Sequence, residues 1–150
     1  MPVRKRQIEQ AVLTPFKAAG WRKNGRSVDK AGVGVAGVVN VQASRFDGLQ
    51  FVNVGFWFPE SADEQVAYNK CPILFRLEEL YPEYREELLK ATAEDDGSEE
   101  ALEWLRAFIA EAAEPRLSAL LERESLRTAL QSERLRGARV TLQARLALGL

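Results

Sequence analysis

Apolar side chains recur every four residues near the N-terminus, at Ile8, Val12 and Phe16. This spacing places them on one face of a helix, which we predict over residues 4–19. Gly20 follows directly and suits the left-handed backbone conformation that ends many helices. The first element is therefore expected to be an amphipathic helix that ends at Gly20.

Two segments rich in β-branched and aromatic residues, 38–44 and 49–58, follow further along the chain. The turn dipeptide Asp47-Gly48 lies between them, so we predict an antiparallel hairpin. Two more segments are expected to add one strand each: 21–30 and 73–77. The pattern therefore predicts a sheet of three or four strands.

The second half of the chain has a helical pattern. We predict a short helix over 84–93 and an amphipathic helix over 99–113, capped by Asp96 or Ser98. One further helix, which ends before Gly137, is expected to carry the leucines at Leu117, Leu120, Leu121, Leu126 and Leu130.

Prolines are expected to disturb two of these helices, because proline has no backbone N–H and clashes with the preceding turn. Pro15 should kink the last turn of the first helix or end its regular part near Leu13. Pro115 should interrupt the helix that begins near residue 99.

Together these elements predict an α+β fold, with a small antiparallel sheet, one helix before it and several helices after it, packed on one face. We expect residues 1–120 to form a single α+β domain. Residues 121–150 are expected to form a C-terminal helical extension packed on that domain, in which 140–148 fits either a helix or a strand.

Alternation along the two hairpin strands separates an apolar face from a polar one. The apolar face is formed by Val39, Val41, Ala43, Val52, Val54, Phe56 and Phe58. Burial of half a dozen such side chains contributes on the order of 10 kcal/mol, so we expect the helices to cover this face.

The opposite face combines amides and a hydroxyl with aromatic rings, a composition favoured at recognition surfaces. Its candidate partner-binding residues are Asn40, Gln42, Ser44, Phe51, Asn53 and Trp57. The alternatives are a solvated outer face and amides that bond to a covering loop. Since the two strands place no charge on this face, we expect it to recognise a partner and not to catalyse a reaction.

The chain has 150 residues, of which none is histidine and one, Cys71, is cysteine. The Ser-His and Cys-His catalytic pairs and the usual nitrogen ligand of metals are therefore excluded. One thiol cannot form an internal disulfide or a thiolate zinc site. Paired carboxylates, such as Glu86-Glu87, are typical of solvated helix faces. We predict no catalytic residue, no cofactor and no metal site.

The segment Gly32-Val33-Gly34-Val35-Ala36-Gly37 matches the glycine pattern of dinucleotide-binding turns. That mechanism requires a helix to follow the glycines, whereas a valine-rich strand follows here. A flexible turn between two strands is the favoured interpretation.

The net charge of −1 conceals segments of opposite sign. Residues 1–60 carry nine Lys/Arg against four Asp/Glu, residues 61–115 five against fifteen, and residues 116–150 seven against three. No apolar run has the length of a signal peptide core or a membrane span, so we expect a cytoplasmic protein.

The best candidate basic patch consists of Arg22, Lys23 and Arg26. With Trp21 and other strand aromatics, such a patch could stack single-stranded bases. Strand alternation argues against this nucleic-acid patch, because alternation places Lys23 and Trp21 on one side of the strand and Arg22 and Arg26 on the other.

Five short motifs occur in a characteristic order: Gly20-Trp21-Arg22-Lys23-Asn24-Gly25, Asn40-Val41-Gln42-Ala43-Ser44, Asn53-Val54-Gly55, Arg76-Leu77-Glu78-Glu79-Leu80 and Glu114-Pro115. Over about residues 8–120 the chain thereby resembles a bacterial family, domain of unknown function 4304. It departs from the family pattern at Trp21, where phenylalanine is usual. The resemblance implies no activity, cofactor or catalytic residue, and by analogy it points to the small α+β domains found among immunity proteins of toxin systems.

We therefore expect a non-enzymatic binding module for another protein, in which the acidic segment 78–103 steers a basic partner such as a toxin. One alternative is a nucleic-acid-associated protein that uses the basic first third of the chain. The other is a histidine-independent enzyme that acts through Asp/Glu, Lys or Tyr. We expect no membrane partner, and the sequence leaves the oligomeric state open.

Overall fold

The computed structural model describes residues 3–45, 48–60, 65–94 and 98–150 and has an α+β architecture. Within these ranges the strands are β1 (Arg22–Asn24), β2 (Ser27–Ala31), β3 (Ala36–Ala43), β4 (Gln50–Trp57), β5 (Ile73–Arg76) and β6 (Arg139–Val140). The α-helices in the same ranges are α1 (Val3–Ala18), α2 (Leu77–Leu80), α3 (Arg85–Ala91), α4 (Glu99–Phe108), α5 (Glu114–Ala119), α6 (Arg123–Leu130) and α7 (Leu142–Leu148).

All six strands belong to one antiparallel sheet in the order β1-β2-β3-β4-β5-β6. The prediction of three or four strands was too low for two reasons. The segment 21–30 folds back on itself at Gly25, whose φ of +62° suits glycine, and so supplies two strands. The last strand has only two residues, too few to produce an alternating pattern.

The predicted central hairpin is confirmed. Strands β3 and β4 pair with Val39 opposite Val54 and Asn40 opposite Asn53. Gly48 of the predicted turn has a φ of +68°, and Asp47 lies outside the described residues. This register fixes which side chains share a face.

Helix α1 packs its predicted face against the apolar side of the sheet, where Ile8, Val12 and Phe16 are fully buried. After Gly20, the N–H of Trp21 bonds to the carbonyl of Phe16, which closes a Schellman motif with the Gly20–Lys17 bond. Pro15 does not end the helix near Leu13. The chain stays helical to Ala18, because burial of the apolar face of α1 outweighs the lost hydrogen bond and the clash of the proline ring.

Pro115 does not interrupt the helix that begins near residue 99. Helix α4, capped by the Ser98 side chain, runs into a π-helical turn at Ile109–Ala113 and then into α5. The proline occupies the first turn of α5, where helices tolerate it best. The wider π turn lets the helical path continue through the proline.

The expected single helix after Pro115 is two helices. The chain bends between α5 and α6, and the Glu122 carboxylate caps α6 by accepting hydrogen bonds of 3.1 Å each from the backbone N–H groups of Glu124 and Ser125. The 140–148 segment combines both of its predicted alternatives, since β6 ends at Val140 and α7 follows.

The last part of the chain shares the main core. Leu126, Leu135 and Leu148 are buried in the same cluster as Ile8 of α1. The glycine-rich segment is a turn between β2 and β3, as expected, and it lies against the bend after α5, where the N–H of Val33 bonds to the carbonyl of Leu121 at 3.1 Å. None of the helices in the described ranges is long and apolar enough to cross a membrane.

Candidate functional site

The site is built on the face of the sheet opposite the main core, which we call the outer face. Pairing between strands places Ser27, Asn40, Asn53 and Arg76 side by side in one row across β2, β3, β4 and β5. Since directly paired residues point to the same side of a sheet, these four side chains share the outer face. The neighbouring row brings Gln42 opposite Phe51.

A chain of amides connects the two rows. Asn40 Nδ2 donates to Ser27 Oγ at 2.8 Å, and Asn53 Nδ2 donates to Gln42 Oε1 at 3.0 Å and to Asn40 Oδ1 at 3.5 Å. Asn53 is only 6% exposed, whereas Gln42 is exposed to solvent. The buried Asn53 therefore holds Gln42 in place, and Gln42 presents the remainder of its amide to solvent.

Strand β5 adds a charge that the sequence analysis did not place on this face. The guanidinium carbon of Arg76 lies 3.8 Å from the centre of the Phe51 ring, in a cation–π contact. The expectation of an uncharged face came from two strands considered alone and is wrong for the assembled sheet. Alternation in β5 could have indicated Arg76 once the pairing of β4 with β5 was known.

These side chains open onto a groove of about 530 Å³, which falls within the usual size range of ligand sites. The groove is lined by Gln42, Asn53, Tyr68, Leu74, Phe75, Arg76, Glu78, Glu79 and Arg85. The Glu79 carboxylate accepts the backbone N–H of Arg76 at 2.6 Å and so fixes the start of α2. The groove therefore contains amides and a cation from the strands, carboxylates from α2 and a second cation from α3.

The other half of the outer face is covered. Trp57 is 4% exposed and packs with Ala36, Val38 and Cys71 in a second, smaller core. The 3-10 turn Tyr68–Lys70 lies against β3 and β4 here. The turn therefore covers this half and buries Trp57, but the expected bonds between the amides and a covering loop are not seen, since Asn40 and Asn53 donate to Ser27, Gln42 and Asn40.

The remaining candidates lie nearer the hairpin turn. Phe51 is half-buried beneath Arg76, and Asn40 is half-buried within the amide chain. Ser44 is also half-buried, just beyond the end of β3, where its backbone N–H bonds to the carbonyl of Leu49 at 2.9 Å. The structure thus brings Asn40, Gln42, Phe51 and Asn53 together.

The candidate basic patch is dispersed. Arg22 bonds to Asp29 at 3.2 Å on the outer face, while Lys23 is exposed and pairs with Val28, whose side chain lies in the main core. The prediction that Arg26 shares the side of Arg22 was wrong. Arg26 follows a tight turn and reaches the helical side, where it pairs with Glu9 of α1 at 3.3 Å.

The aromatic residues of the nucleic-acid hypothesis do not form a platform either. Trp21 is 4% exposed and donates its indole N–H to Glu114 at 3.0 Å, so it belongs to the core. Trp57 is buried on the opposite face. Of the Trp21, Phe51 and Trp57 rings, only the Phe51 ring is partly accessible, and the Arg76 guanidinium lies over it.

The reactivity of the single thiol and the spacing of the acidic side chains complete the description of the ionisable groups. Burial raises the pKa of the Cys71 thiol to about 12, so the thiol stays protonated and weakly nucleophilic at neutral pH. In the described ranges, no group of three or more histidine, cysteine, aspartate or glutamate side chains is arranged to hold a metal ion. The side chains that line the groove supply hydrogen-bond donors, hydrogen-bond acceptors and ion-pairing groups.

A comparison with protein families agrees with the motif order. The model of the family described as domain of unknown function (DUF4304) matches residues 12–119. No curated protein and no solved structure matches the chain significantly. The family match spans α1 from residue 12 onward, the sheet through β5 and the helices through α5, and it includes every residue of the groove. Since it covers more than half of the sequence, the chain belongs to the DUF4304 family.

Proposed function

We propose that this protein is a cytoplasmic, non-enzymatic binding module that recognises another protein through the open groove of the outer face. One observation carries the proposal: Gln42 and Arg76 expose polar groups at the groove while the buried Asn53 and the Phe51 ring hold them in place. Polar groups fixed on a rigid scaffold lose little freedom on binding, and this favours specific recognition.

The shape of the site supports a protein partner over catalysis. The groove is a recess on a strand surface, bordered by short helices, into which a side chain or loop of a partner fits. Arginine and aromatic residues are enriched in protein interfaces, and Arg76 with Phe51 supplies both.

Charge on the neighbouring helices suits a partner with a basic surface. Helices α3 and α4 and their surroundings carry exposed carboxylates at Glu86, Glu87, Glu100 and Glu103. Such a field raises the association rate of an oppositely charged protein, a basic toxin for example. Association is expected to slow as salt is added.

Affinity capture from the source cells tests the proposal with a matched pair of variants. Gln42→Arg places a long charged side chain at the groove, and Gln10→Arg makes the same change on the exposed side of α1, in the opposite layer. We expect wild type and Gln10→Arg to retain the same protein and Gln42→Arg to retain at least about tenfold less of it, a difference of about 1.4 kcal/mol. Equal retention by all three folded baits would contradict the proposal.

A further inference from the structure

We infer that the groove contains a receptor for a single carboxylate group, which the protein partner inserts between Arg76 and Gln42. This inference rests on the proposed function and specifies its chemistry. It concerns one well-defined contact inside the larger interface.

The position of Arg76 is the first argument. Its guanidinium carbon lies over the Phe51 ring, 3.8 Å from the ring centre, and the residue is exposed. This cation–π contact limits the motion of the guanidinium. Arginine binds carboxylates through its N–H groups with two parallel hydrogen bonds, and the exposure of Arg76 leaves such groups accessible from the groove.

The lack of an internal partner is the second argument. Within the described parts of the chain, Arg76 forms no ion pair, although Glu79 is three residues away. The Glu79 carboxylate is used differently, since its Oε2 accepts the backbone N–H of Arg76 at 2.6 Å. The guanidinium therefore contacts the Phe51 ring and keeps its N–H donors available for an external anion.

The orientation of Gln42 is the third argument. Its Oε1 accepts a hydrogen bond of 3.0 Å from Asn53, so the other end of the amide, the NH2 group, faces away from Asn53. Gln42 is exposed and lines the same groove as Arg76. The two residues thus provide a charged donor and a neutral donor for the oxygens of one anion.

The carboxylates of the groove limit the size of that anion. Glu78 and Glu79 line it together with Arg76 and Arg85. A chain of phosphates would extend toward these carboxylates and be repelled by their negative charge. A single carboxylate can contact the arginine without approaching them. The site therefore suits an aspartate or glutamate side chain, or a chain terminus, better than a nucleic acid backbone.

Titration followed by NMR tests this receptor with small probes. The probes are N-acetyl-aspartate amide for a side-chain carboxylate, N-acetylglycine for a chain terminus, and N-acetyl-asparagine amide as the neutral control, all at constant ionic strength. We expect the side-chain amide signals of Gln42 and Asn53 to shift saturably with at least one carboxylate probe, with a Kd on the order of 1–10 mM, and not with the neutral probe. The carboxylate probe that binds more tightly identifies the source of the group.

Two substitutions make the result specific. Arg76→Gln should abolish the saturable shifts, and Arg106→Gln, which removes an exposed arginine from α4, should leave them unchanged. Arg76→Lys should weaken binding at least about fivefold, since lysine keeps the charge but lacks the planar fork. Shifts that are absent, that the neutral probe reproduces, or that survive Arg76→Gln would overturn the inference. If Gln42→Arg still loses the captured protein in that case, the proposed function stands and only the carboxylate receptor fails.

Discussion

The indole N–H of Trp21 donates a hydrogen bond of 3.0 Å to the carboxylate of Glu114, 93 residues further along the chain. Trp21 is 4% exposed, and Glu114 also accepts a hydrogen bond from Ser118. The bond joins the turn after α1 to the start of α5. It therefore connects two of the motifs by which the family was recognised in the sequence, and it gives both a structural role.

Glu114→Ala is expected to destabilise the fold by about 1–3 kcal/mol, because it leaves the buried indole N–H without an acceptor. Glu114→Gln keeps an acceptor oxygen and should cost less. Urea unfolding followed by tryptophan fluorescence or circular dichroism measures both.

A double-mutant cycle provides the control. Trp21→Phe removes the donor, so adding Glu114→Ala to that variant should cost less than the same change in wild type by about 0.5–3 kcal/mol. Independent, additive effects of the two substitutions would show that the Trp21–Glu114 bond does not contribute to stability.

The central part of this fold was predictable because local patterns determine it. Alternation in β3 and β4 identified Val39 and Val54 as inward and Asn40 and Asn53 as outward, and the pairing confirms this. A hairpin forms between neighbours in the chain, so composition and a turn signal suffice to identify it. The α+β class followed from the same patterns.

The parts that were not predictable depend on contacts between distant segments. The two residues of β6 pair with β5 only because the chain returns to that sheet edge. The burial of Trp57 depends on the turn Tyr68–Lys70, which no pattern in the sequence places over the sheet. The helix continues to Pro115 through a π turn that composition does not reveal.

A second prediction concerns the turn between β2 and β3. A methyl group at Gly32 would overlap the backbone carbonyl of Leu121, which the neighbouring Val33 N–H already bonds. Backbone cannot move away as a flexible side chain does, so Gly32→Ala should destabilise the protein by about 1–3 kcal/mol or more.

Gly137→Ala is the matched control. Its added methyl group would meet Glu79 Oε1 at 2.9 Å, and a shift of a few tenths of an ångström by this side-chain end relieves the contact while Oε2 keeps its bond to the Arg76 N–H. We expect a change within about 1 kcal/mol, measured by thermal or urea unfolding. Equal effects of the two alanines would mean that the turn does not pack closely on Leu121.

A third prediction uses the buried thiol of Cys71. Burial raises its pKa from 9.0 to about 12, while in the unfolded chain the thiol ionises near its ordinary value. Between these two pH values the folded state binds more protons than the unfolded state. The contribution to stability is therefore complete below about pH 9 and is lost as the pH rises toward 12, with a slope of at most about 1.4 kcal/mol per pH unit.

Cys71→Ala isolates this contribution, because Tyr81, whose pKa burial also raises, is present in both proteins. The free energy of unfolding should fall more steeply in wild type than in Cys71→Ala between about pH 9 and pH 11. A thiol reagent should also modify the folded protein far more slowly than the urea-unfolded chain. Parallel pH profiles of the two proteins, or rapid labelling of the native thiol, would contradict the assignment.

The candidate site illustrates the same limit of sequence reasoning as the fold. Asn40, Gln42, Phe51 and Asn53 were grouped correctly, since they lie on adjacent strands of one hairpin. Arg76 was not included, because its place beside Phe51 depends on the pairing of β5. The exposure of each candidate side chain was also not predictable. Alternation along a strand assigns a side chain to one face of the sheet, but it does not show which segments cover that face.

The last prediction separates the residue proposed to contact a partner from the residue that supports it. Gln42 is exposed, and its removal admits water to Asn53 Nδ2, which also keeps its 3.5 Å contact with Asn40 Oδ1, so Gln42→Ala should cost less than about 1 kcal/mol. Asn53 is 6% exposed and bonds to both Gln42 and Asn40, so Asn53→Ala should cost about 1–3 kcal/mol. Urea unfolding of the two variants measures the difference.

Both alanines should nevertheless weaken capture of the partner, for different reasons. Gln42→Ala removes a contact and leaves the fold intact, while Asn53→Ala releases Gln42 from its fixed orientation. Addition of Gln42→Ala to Asn53→Ala should then weaken capture by less than it does in wild type, because an unheld Gln42 contributes less to binding. A loss of stability in Gln42→Ala as large as that in Asn53→Ala, with capture unchanged in both, would mean that the amide chain only supports the sheet.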